Sequence, residues 1–198
     1  MSEINEAMIF AAGFGKRMYP LTTNVPKPLL KVNGKPIISH IIEDLINLNF
    51  KNIVINTHHL SEKFHDELKP YSRIIKIVFE EEILDTGGGF LNAIKRNYFH
   101  NLKSPKVLIN GDVLWKKTVN SPIKNILRNW NEEKMDLLLC LIKKKNFFGY
   151  KGKGDFNLEE PQKEVSIINH HQQKDLVFSG LQLIKPKLLE KKNKKKFS

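Results

Sequence analysis

A glycine-rich segment with cationic side chains lies near the start of the 198-residue chain. It spans Gly13 to Arg17 (GFGKR) and directly follows the apolar stretch Glu6 to Ala12. Glycines let backbone N–H groups approach phosphate oxygens closely, and such groups together form an anion-binding nest. Arg17 offers a bidentate fork for phosphate, and Lys27, on a proline-flanked loop, offers a point charge. The segment therefore predicts a phosphate-binding loop.

This loop differs from two common phosphate-binding motifs. It lacks the third glycine of the dinucleotide fingerprint and the Gly-Lys-Ser/Thr ending of the P-loop. A glycine pair beside an arginine is also common in ordinary turns. The stronger signal is the whole array AAGFGKRMYPLTTNVPKPLL, which follows a predicted first strand.

Two later segments also combine glycine with polar residues, Leu84 to Gly89 (LDTGGG) and Leu108 to Asp112 (LINGD). Each has an ordinary structural interpretation. Asn-Gly-Asp commonly forms a turn, and Thr86 would serve as the N-cap of a helix. Taken singly, each segment is better explained by a structural role. Because all three segments follow predicted strands, their combination favours a functional site.

The elements that position these segments alternate along the chain. Apolar runs and helical periodicity predict strands at residues 6–12, 51–56, 74–80, 106–110, 137–142, 165–168 and 177–184, and helices at residues 36–46, 61–68, 87–96 and 123–130. Continuous apolar strands alternating with helices predict an α/β fold, with a mostly parallel sheet covered on both faces. Ligands bind beyond the carboxyl ends of the strands in such folds, which is where the three segments lie.

Composition limits the class of protein. Hydrophobic residues make up 40% and charged residues 27% of the chain, as in globular domains, and no apolar run approaches the length of a membrane span. The polar, acidic start lacks the features of a signal peptide. Cys140 is the only cysteine, which excludes an intrachain disulfide and favours a cytoplasmic protein.

The formal net charge of +12 raises the alternative of nucleic-acid binding. Lysines, however, are spread along the whole chain and are not interleaved with aromatic residues as a base-stacking surface requires. We therefore predict no nucleic-acid partner and no membrane partner. The charge fits solvated faces and attraction of phosphorylated small molecules.

The combined segments resemble the sugar-1-phosphate nucleotidyltransferases. Matching features are Gly-x-Gly-x-Arg, Pro-Leu-Thr and Pro-Lys-Pro in the first array, then threonine with three glycines, then Asn-Gly-Asp. The pattern is most similar to the N-acetylmuramate-1-phosphate uridylyltransferase branch, with mannose-1-phosphate guanylyltransferases close to it. Two downstream pieces, Gly154 to Phe156 and Phe178 to Gly180, also fit that branch.

This resemblance implies a three-layer α/β/α, Rossmann-like fold with a mixed, mostly parallel sheet. It also implies transfer of a nucleotidyl group from a nucleoside triphosphate to a sugar 1-phosphate, with release of pyrophosphate. Arg17, Lys27 and Asp112 would be catalytic, and Asp112 would bind Mg²⁺. The sugar phosphate would contact Lys27, Asp155, Ser179 and Gly180. The nucleotide would contact Ala11, Ala12, Gly13, Gly15, Lys16, Arg17, Asp85, Thr86, Gly87, Gly88 and Asn110.

The chain departs from the family pattern at two places. Asp85 replaces the glutamate expected before the threonine-glycine run, which puts one base or ribose contact in doubt. The second metal-binding aspartate, expected from a late segment, has no counterpart because no aspartate follows Asp175. We therefore expect residues 1–198 to be a single nucleotidyltransferase domain that lacks its C-terminal elements.

The substrates stay open at this stage. UTP with N-acetylmuramate 1-phosphate, in cell-wall sugar recycling, is the favoured pair, and GTP with mannose 1-phosphate is the rival. A non-catalytic module that only binds nucleotides is the alternative from another class. The sequence does not determine the oligomeric state.

Overall fold

The computed structural model describes residues 3–115, 121–169, 174–190 and 192–198. These residues contain strands β1 (Glu6–Phe10), β2 (Lys31–Val32), β3 (Lys35–Pro36), β4 (Asn52–Thr57), β5 (Ile75–Phe79), β6 (Lys106–Asn110), β7 (Leu137–Lys143), β8 (Asn157–Leu158), β9 (Ile168–Asn169) and β10 (Leu176–Ile184). They also contain helices α1 (Ile37–Asn47), α2 (Glu62–Leu68), α3 (Asp85–Lys95) and α4 (Pro122–Arg128).

Six strands form the central sheet in the order β5-β4-β1-β6-β10-β7. Strands β5, β4, β1 and β6 are parallel neighbours, whereas β10 runs antiparallel to both β6 and β7. The sheet is therefore mixed and mostly parallel, as the sequence predicts. Two small antiparallel pairs, β2-β3 and β8-β9, lie outside it.

Alternate residues of each central strand face opposite sides of the sheet, and both sides are packed. Ala7 and Ile9 of β1 belong to one buried cluster together with residues of α1, α2 and α4. Met8 belongs to a second cluster with Phe90 of α3. Because helices cover both faces, the three-layer α/β/α prediction is confirmed.

Two predicted elements differ from the structure. The helix expected from residue 87 begins at Asp85, and the three glycines lie in its first turns. The chain near Phe197 packs against Gly87 and Gly88. The strand expected at residues 165–168 is wrong except for Ile168, which pairs in the small sheet. Ile167 is 68% exposed, so its β-branched side chain does not mark a core strand. Among the described residues, none of the helices has the length and apolar character to cross a membrane.

A buried ionic network lies at the amino-terminal edge of the sheet, opposite the glycine segments. Glu6, 2% exposed, accepts hydrogen bonds from the Asn52 side chain and from the backbone N–H groups of His100 and Asn101. The ammonium of Lys106, fully buried, lies 3.3 Å from the Glu6 carboxylate. Burial alone would raise the pKa of Glu6, but these hydrogen bonds and the Lys106 charge outweigh it and lower that pKa below 4.5.

We expect Glu6→Gln to lower the free energy of unfolding by about 3 kcal/mol, because it leaves the buried Lys106 charge without its carboxylate. The depressed pKa of Glu6 gives this stabilisation a pH dependence: it is present above the unfolded pKa and is lost as the pH falls through the lower folded pKa. Urea unfolding between pH 3 and 7 measures the loss of unfolding free energy and its pH dependence. Glu3→Gln, at an exposed position, is the control. If the difference in unfolding free energy between the unmodified protein and Glu6→Gln is the same at all pH values, the lowered pKa of Glu6 is wrong.

Candidate active site

The carboxyl ends of β1, β4, β5 and β6 surround a cavity of about 430 Å³. Because these strands are parallel neighbours, their following loops meet at one edge of the sheet. The lining comprises residues 10–18, Lys27, Pro28, Asn56, Glu80, Ile83, Asp85, Thr86, Asn110 and Asp112. The cavity therefore joins all three segments that the sequence singles out.

The glycine loop after β1 is held in a defined conformation. Gly15 has a φ of 66°, in the left-handed region, and begins a short 3₁₀ turn, Lys16–Met18. Its carbonyl oxygen accepts hydrogen bonds from the Met18 N–H at 2.9 Å and from the Thr22 hydroxyl at 2.9 Å. A Cβ at Gly15 would also crowd the side chains of Thr22 and Lys27 at 3.2–3.3 Å. The sequence therefore needs glycine at this position.

Lys27, a cationic residue of the cavity lining, forms an ion pair with Asp112. Lys27 lies at the start of a 3₁₀ turn, Lys27–Leu29, and its ammonium donates to the Asp112 carboxylate at 2.6 Å. The two side chains are 25% and 32% exposed, so water and ligands reach both. Since Lys27 and Asp112 are 85 positions apart, this contact depends on the fold.

Gly111 explains how Asp112 reaches this position. The Gly111 N–H donates to the carbonyl oxygen of Phe10, at the end of β1, at 2.8 Å. A Cβ at Gly111 would lie 2.8 Å from that same oxygen, so a larger residue would push the backbone away. The Asn-Gly-Asp segment is thus a close backbone approach that directs the chain beside the glycine loop.

The opposite wall of the cavity carries two acidic side chains, one buried and one exposed. It includes Glu80, which is 2% exposed, together with Asp85 and Thr86 of α3. Burial raises the pKa of the Glu80 carboxyl, despite opposing hydrogen bonds from Asn56 and from the Leu84 N–H. The cavity thus has a cationic side formed by Lys16, Arg17 and Lys27 and an acidic, partly dehydrated side.

Aromatic rings border the glycine loop at the mouth of the cavity. The Phe14 ring lies 5.5 Å from the rings of both His58 and His59, and the Lys16 ammonium lies 5.1 Å above the Phe14 ring. Phe14 is 39% exposed. These contacts attach the tip of the glycine loop to the segment after β4.

Most of the predicted site residues line this cavity: Ala11, Ala12, Gly13, Gly15, Lys16, Arg17, Lys27, Asp85, Thr86, Asn110 and Asp112. Gly87 and Gly88 lie elsewhere, beneath the carboxyl-terminal segment. A Cβ at Gly87 would overlap the Phe197 ring, and one at Gly88 would overlap the Lys195 carbonyl oxygen. Their contact with nucleotide stays a prediction.

The predicted sugar-phosphate residues Asp155, Ser179 and Gly180 are also outside the cavity lining. Asp155 accepts a hydrogen bond from the Phe178 N–H at 2.9 Å, and Ser179 is 2% exposed. Gly180 has a φ of 78°, and a Cβ there would meet the Asn110 side chain at 3.0 Å. The β10 bulge around Gly180 therefore makes room for a cavity residue, while direct sugar contacts stay a prediction.

Sequence reasoning missed two polar residues of the cavity lining, Asn56 and Glu80. Each is a polar residue at or next to the end of an apolar strand, β4 and β5 respectively. A polar residue at that place in a parallel sheet faces the ligand edge. That positional signal was sufficient to find both.

The fit of the predicted Mg²⁺ depends on Asp112. Among the residues the structure describes, no group of three or more His, Cys, Asp or Glu side chains is arranged to hold a metal ion. Mg²⁺, however, commonly binds one or two carboxylates and completes its shell with substrate phosphates and water. The accessible Asp112 carboxylate, beside the glycine loop, suits an ion shared with phosphate oxygens and does not suit an all-protein cage.

The sequence of this chain is similar to those of known proteins. A nucleotidyl transferase family model matches residues 6–150. The N-acetylmuramate alpha-1-phosphate uridylyltransferase of Caulobacter vibrioides is 28% identical over 188 residues, which are 92% of this chain and 76% of that protein. The bifunctional protein GlmU of Methanococcus maripaludis is 32% identical over 168 residues, which are 83% of this chain and 38% of that protein.

Solved structures agree on the fold. HddC from Yersinia pseudotuberculosis, complexed with GMP-PN, superimposes with a TM-score of 0.70 at 22% sequence identity. The match covers 98% of this chain and 83% of that one. At this level of identity, the likeness concerns the arrangement of helices and strands.

Proposed function

This chain belongs to the nucleotidyl transferase family, and from that premise we propose that it transfers a uridylyl group from UTP to N-acetylmuramate 1-phosphate. The products are the UDP-sugar and pyrophosphate. One observation carries the proposal: the glycine loop, Arg17 and the Lys27–Asp112 pair meet in one cavity. The name of the Caulobacter relative supports the choice of base and sugar, as does the resemblance of the three motifs.

The reaction is an in-line displacement at the α-phosphorus. An oxygen of the sugar phosphate forms the new P–O bond, and the bond to the pyrophosphate oxygen breaks. The protein mainly positions the phosphates and offsets the charge that develops. The N–H groups of residues 13–15 hold the triphosphate, and Arg17 neutralises the leaving pyrophosphate.

Lys27 and Asp112 act at the other side of the reacting phosphate. Lys27 orients the phosphates by its charge, and Asp112 fixes the Lys27 ammonium at 2.6 Å. Asp112 would also hold Mg²⁺ together with phosphate oxygens; when bound, the ion supplies Lewis-acid stabilisation of phosphoryl charge. We propose a cytoplasmic role in cell-wall sugar recycling.

A pyrophosphate-release assay that crosses four nucleoside triphosphates with several sugar 1-phosphates tests the proposal. We expect release with UTP and N-acetylmuramate 1-phosphate, dependent on Mg²⁺. Release only with GTP and mannose 1-phosphate would favour the guanylyltransferase alternative. Nucleotide binding in calorimetry without any release would favour a non-catalytic binding module.

A further inference from the structure

Two buried side chains, Asn56 and Glu80, connect opposite walls of the cavity. The Ala11 N–H, directly after β1, donates to Asn56 Oδ1 at 2.9 Å. Asn56 Nδ2 donates to Glu80 Oε1 at 2.8 Å, and the Leu84 N–H donates to Glu80 Oε2 at 3.2 Å. Hydrogen bonds thus run without a break from Ala11, two residues before Gly13, to Leu84, the residue before α3.

The donor and the acceptor of each of these three hydrogen bonds are fixed. A backbone N–H can only donate, so the Ala11 N–H requires an acceptor, which is Asn56 Oδ1. The Asn56 amide must therefore present its NH₂ group to Glu80. Since the Leu84 N–H also donates, both oxygens of Glu80 must accept. A carboxylate meets that requirement, whereas glutamine would present a donor to another donor.

Close packing gives this pair little freedom. Asn56 is 3% exposed and Glu80 is 2% exposed. A Cβ at Gly89, in α3, would lie 2.7 Å from Glu80 Oε1 and 2.9 Å from Asn56 Nδ2, so the helix backbone contacts the pair directly. The His58 ring nitrogen Nδ1 lies 2.8 Å from the Glu80 carbonyl oxygen.

We propose that Asn56 and Glu80 are positioning residues, which fix the glycine loop and the first turn of α3 at one separation for the nucleoside triphosphate. The inference rests on the proposed function, because it assumes that the triphosphate contacts the glycine loop and the base or ribose contacts the start of α3. The pair acts through Ala11 and Leu84. Its contribution is preorganisation, so its loss raises the cost of binding nucleotide.

An exchange of the two functional groups tests the proposal. Asn56→Asp places two carboxylates together, and Glu80→Gln places an amide NH₂ against a donor. In the double variant Asn56→Asp/Glu80→Gln, the carboxylate introduced at position 56 accepts from the Ala11 N–H and from the amide NH₂ introduced at position 80. The carbonyl oxygen of that same amide accepts from the Leu84 N–H. The hydrogen bonds are then complete again with reversed polarity and unchanged net charge.

We expect each single variant to raise the UTP Kd in calorimetry, and the KM for UTP, by about 10-fold or more, as for an unsatisfied buried polar group. The KM for the sugar phosphate should change less than about threefold. The double variant should return the UTP Kd to within about threefold of the original. Hydrogen–deuterium exchange of peptides covering residues 9–16 and 82–90 should be faster in the single variants and restored in the double variant.

The control is Asn47→Asp/Glu62→Gln, the same exchange at two exposed positions, which should leave UTP affinity unchanged.

The proposal is overturned if the single variants only lower Tm with normal UTP affinity, or if the double variant binds UTP as weakly as they do. If the single variants do not fold, the double variant alone decides by its UTP Kd, and its own failure to fold also overturns the proposal. Absence of pyrophosphate release by the unmodified protein would refute the proposed activity while leaving the Kd and exchange comparisons decisive for the pair.

Discussion

Replacing Asp112 with asparagine should reduce turnover on the order of 10³-fold. The change keeps the shape of the side chain but removes the negative charge that pairs with the Lys27 ammonium at 2.6 Å. On the proposed mechanism, it also removes the carboxylate that holds Mg²⁺, so two sources of phosphate stabilisation are lost together. Pyrophosphate release at saturating substrate, measured over a range of Mg²⁺ concentrations, gives the result.

Nucleotide affinity separates this effect from damage to the fold. Without Mg²⁺, UTP binding to Asp112→Asn should fall far less than turnover, because the N–H groups of the glycine loop are unchanged. The ion pair is partly exposed, so the free energy of unfolding should change by no more than about 1 kcal/mol. Asp66→Asn, at an exposed position on α2, is the matched control. Full activity of Asp112→Asn at low Mg²⁺ would make the metal assignment wrong.

Arg17→Ala should lower kcat by about 10²- to 10³-fold, the usual cost of removing one donor that stabilises transition-state charge. Arg17 is exposed and lines the cavity two residues after Gly15, so its removal takes positive charge from the place where, on the proposed mechanism, pyrophosphate leaves. Arg17→Lys should recover part of the loss, since it restores charge without the bidentate fork. Steady-state pyrophosphate release measures all three proteins.

The matched control for this prediction is Arg73→Ala, at another exposed arginine. It removes the same charge from the protein and should leave kcat unchanged. Thermal melts of both variants should agree with the unmodified protein, because exposed substitutions rarely change the free energy of unfolding by more than about 0.5 kcal/mol. Near-normal turnover of Arg17→Ala would exclude Arg17 from the mechanism.

The glycine loop, the mostly parallel sheet and its ligand edge were predictable because each depends on local sequence. An apolar strand followed by GFGKR determines a turn chemistry within a few residues, and strand–helix alternation determines the layers. For the same reason, Asp112 was predictable from the end of its own strand. These features need no knowledge of which distant segments meet.

The contacts that complete the site depend on distant segments and could not be predicted locally. The Lys27–Asp112 ion pair joins positions 85 apart, and the Asn56–Glu80 hydrogen bond joins the ends of two strands. The placement of Gly87 and Gly88 beneath Lys195 and Phe197 is a further example. Glycine indicates a close approach, but its type alone does not say whether a ligand or the chain itself approaches.

The order of strands in the sheet has a consequence for the synthesis of this protein on the ribosome. Within the described residues, β7 hydrogen-bonds only to β10, whose first residue, Leu176, comes 33 positions after Lys143 (176 − 143 = 33). As the chain leaves the ribosome, the apolar segment LLLCLIK therefore emerges before its partner strand does. Unpaired apolar strands of nascent chains are prone to aggregate, so a chaperone that covers this segment during the interval would protect the growing polypeptide.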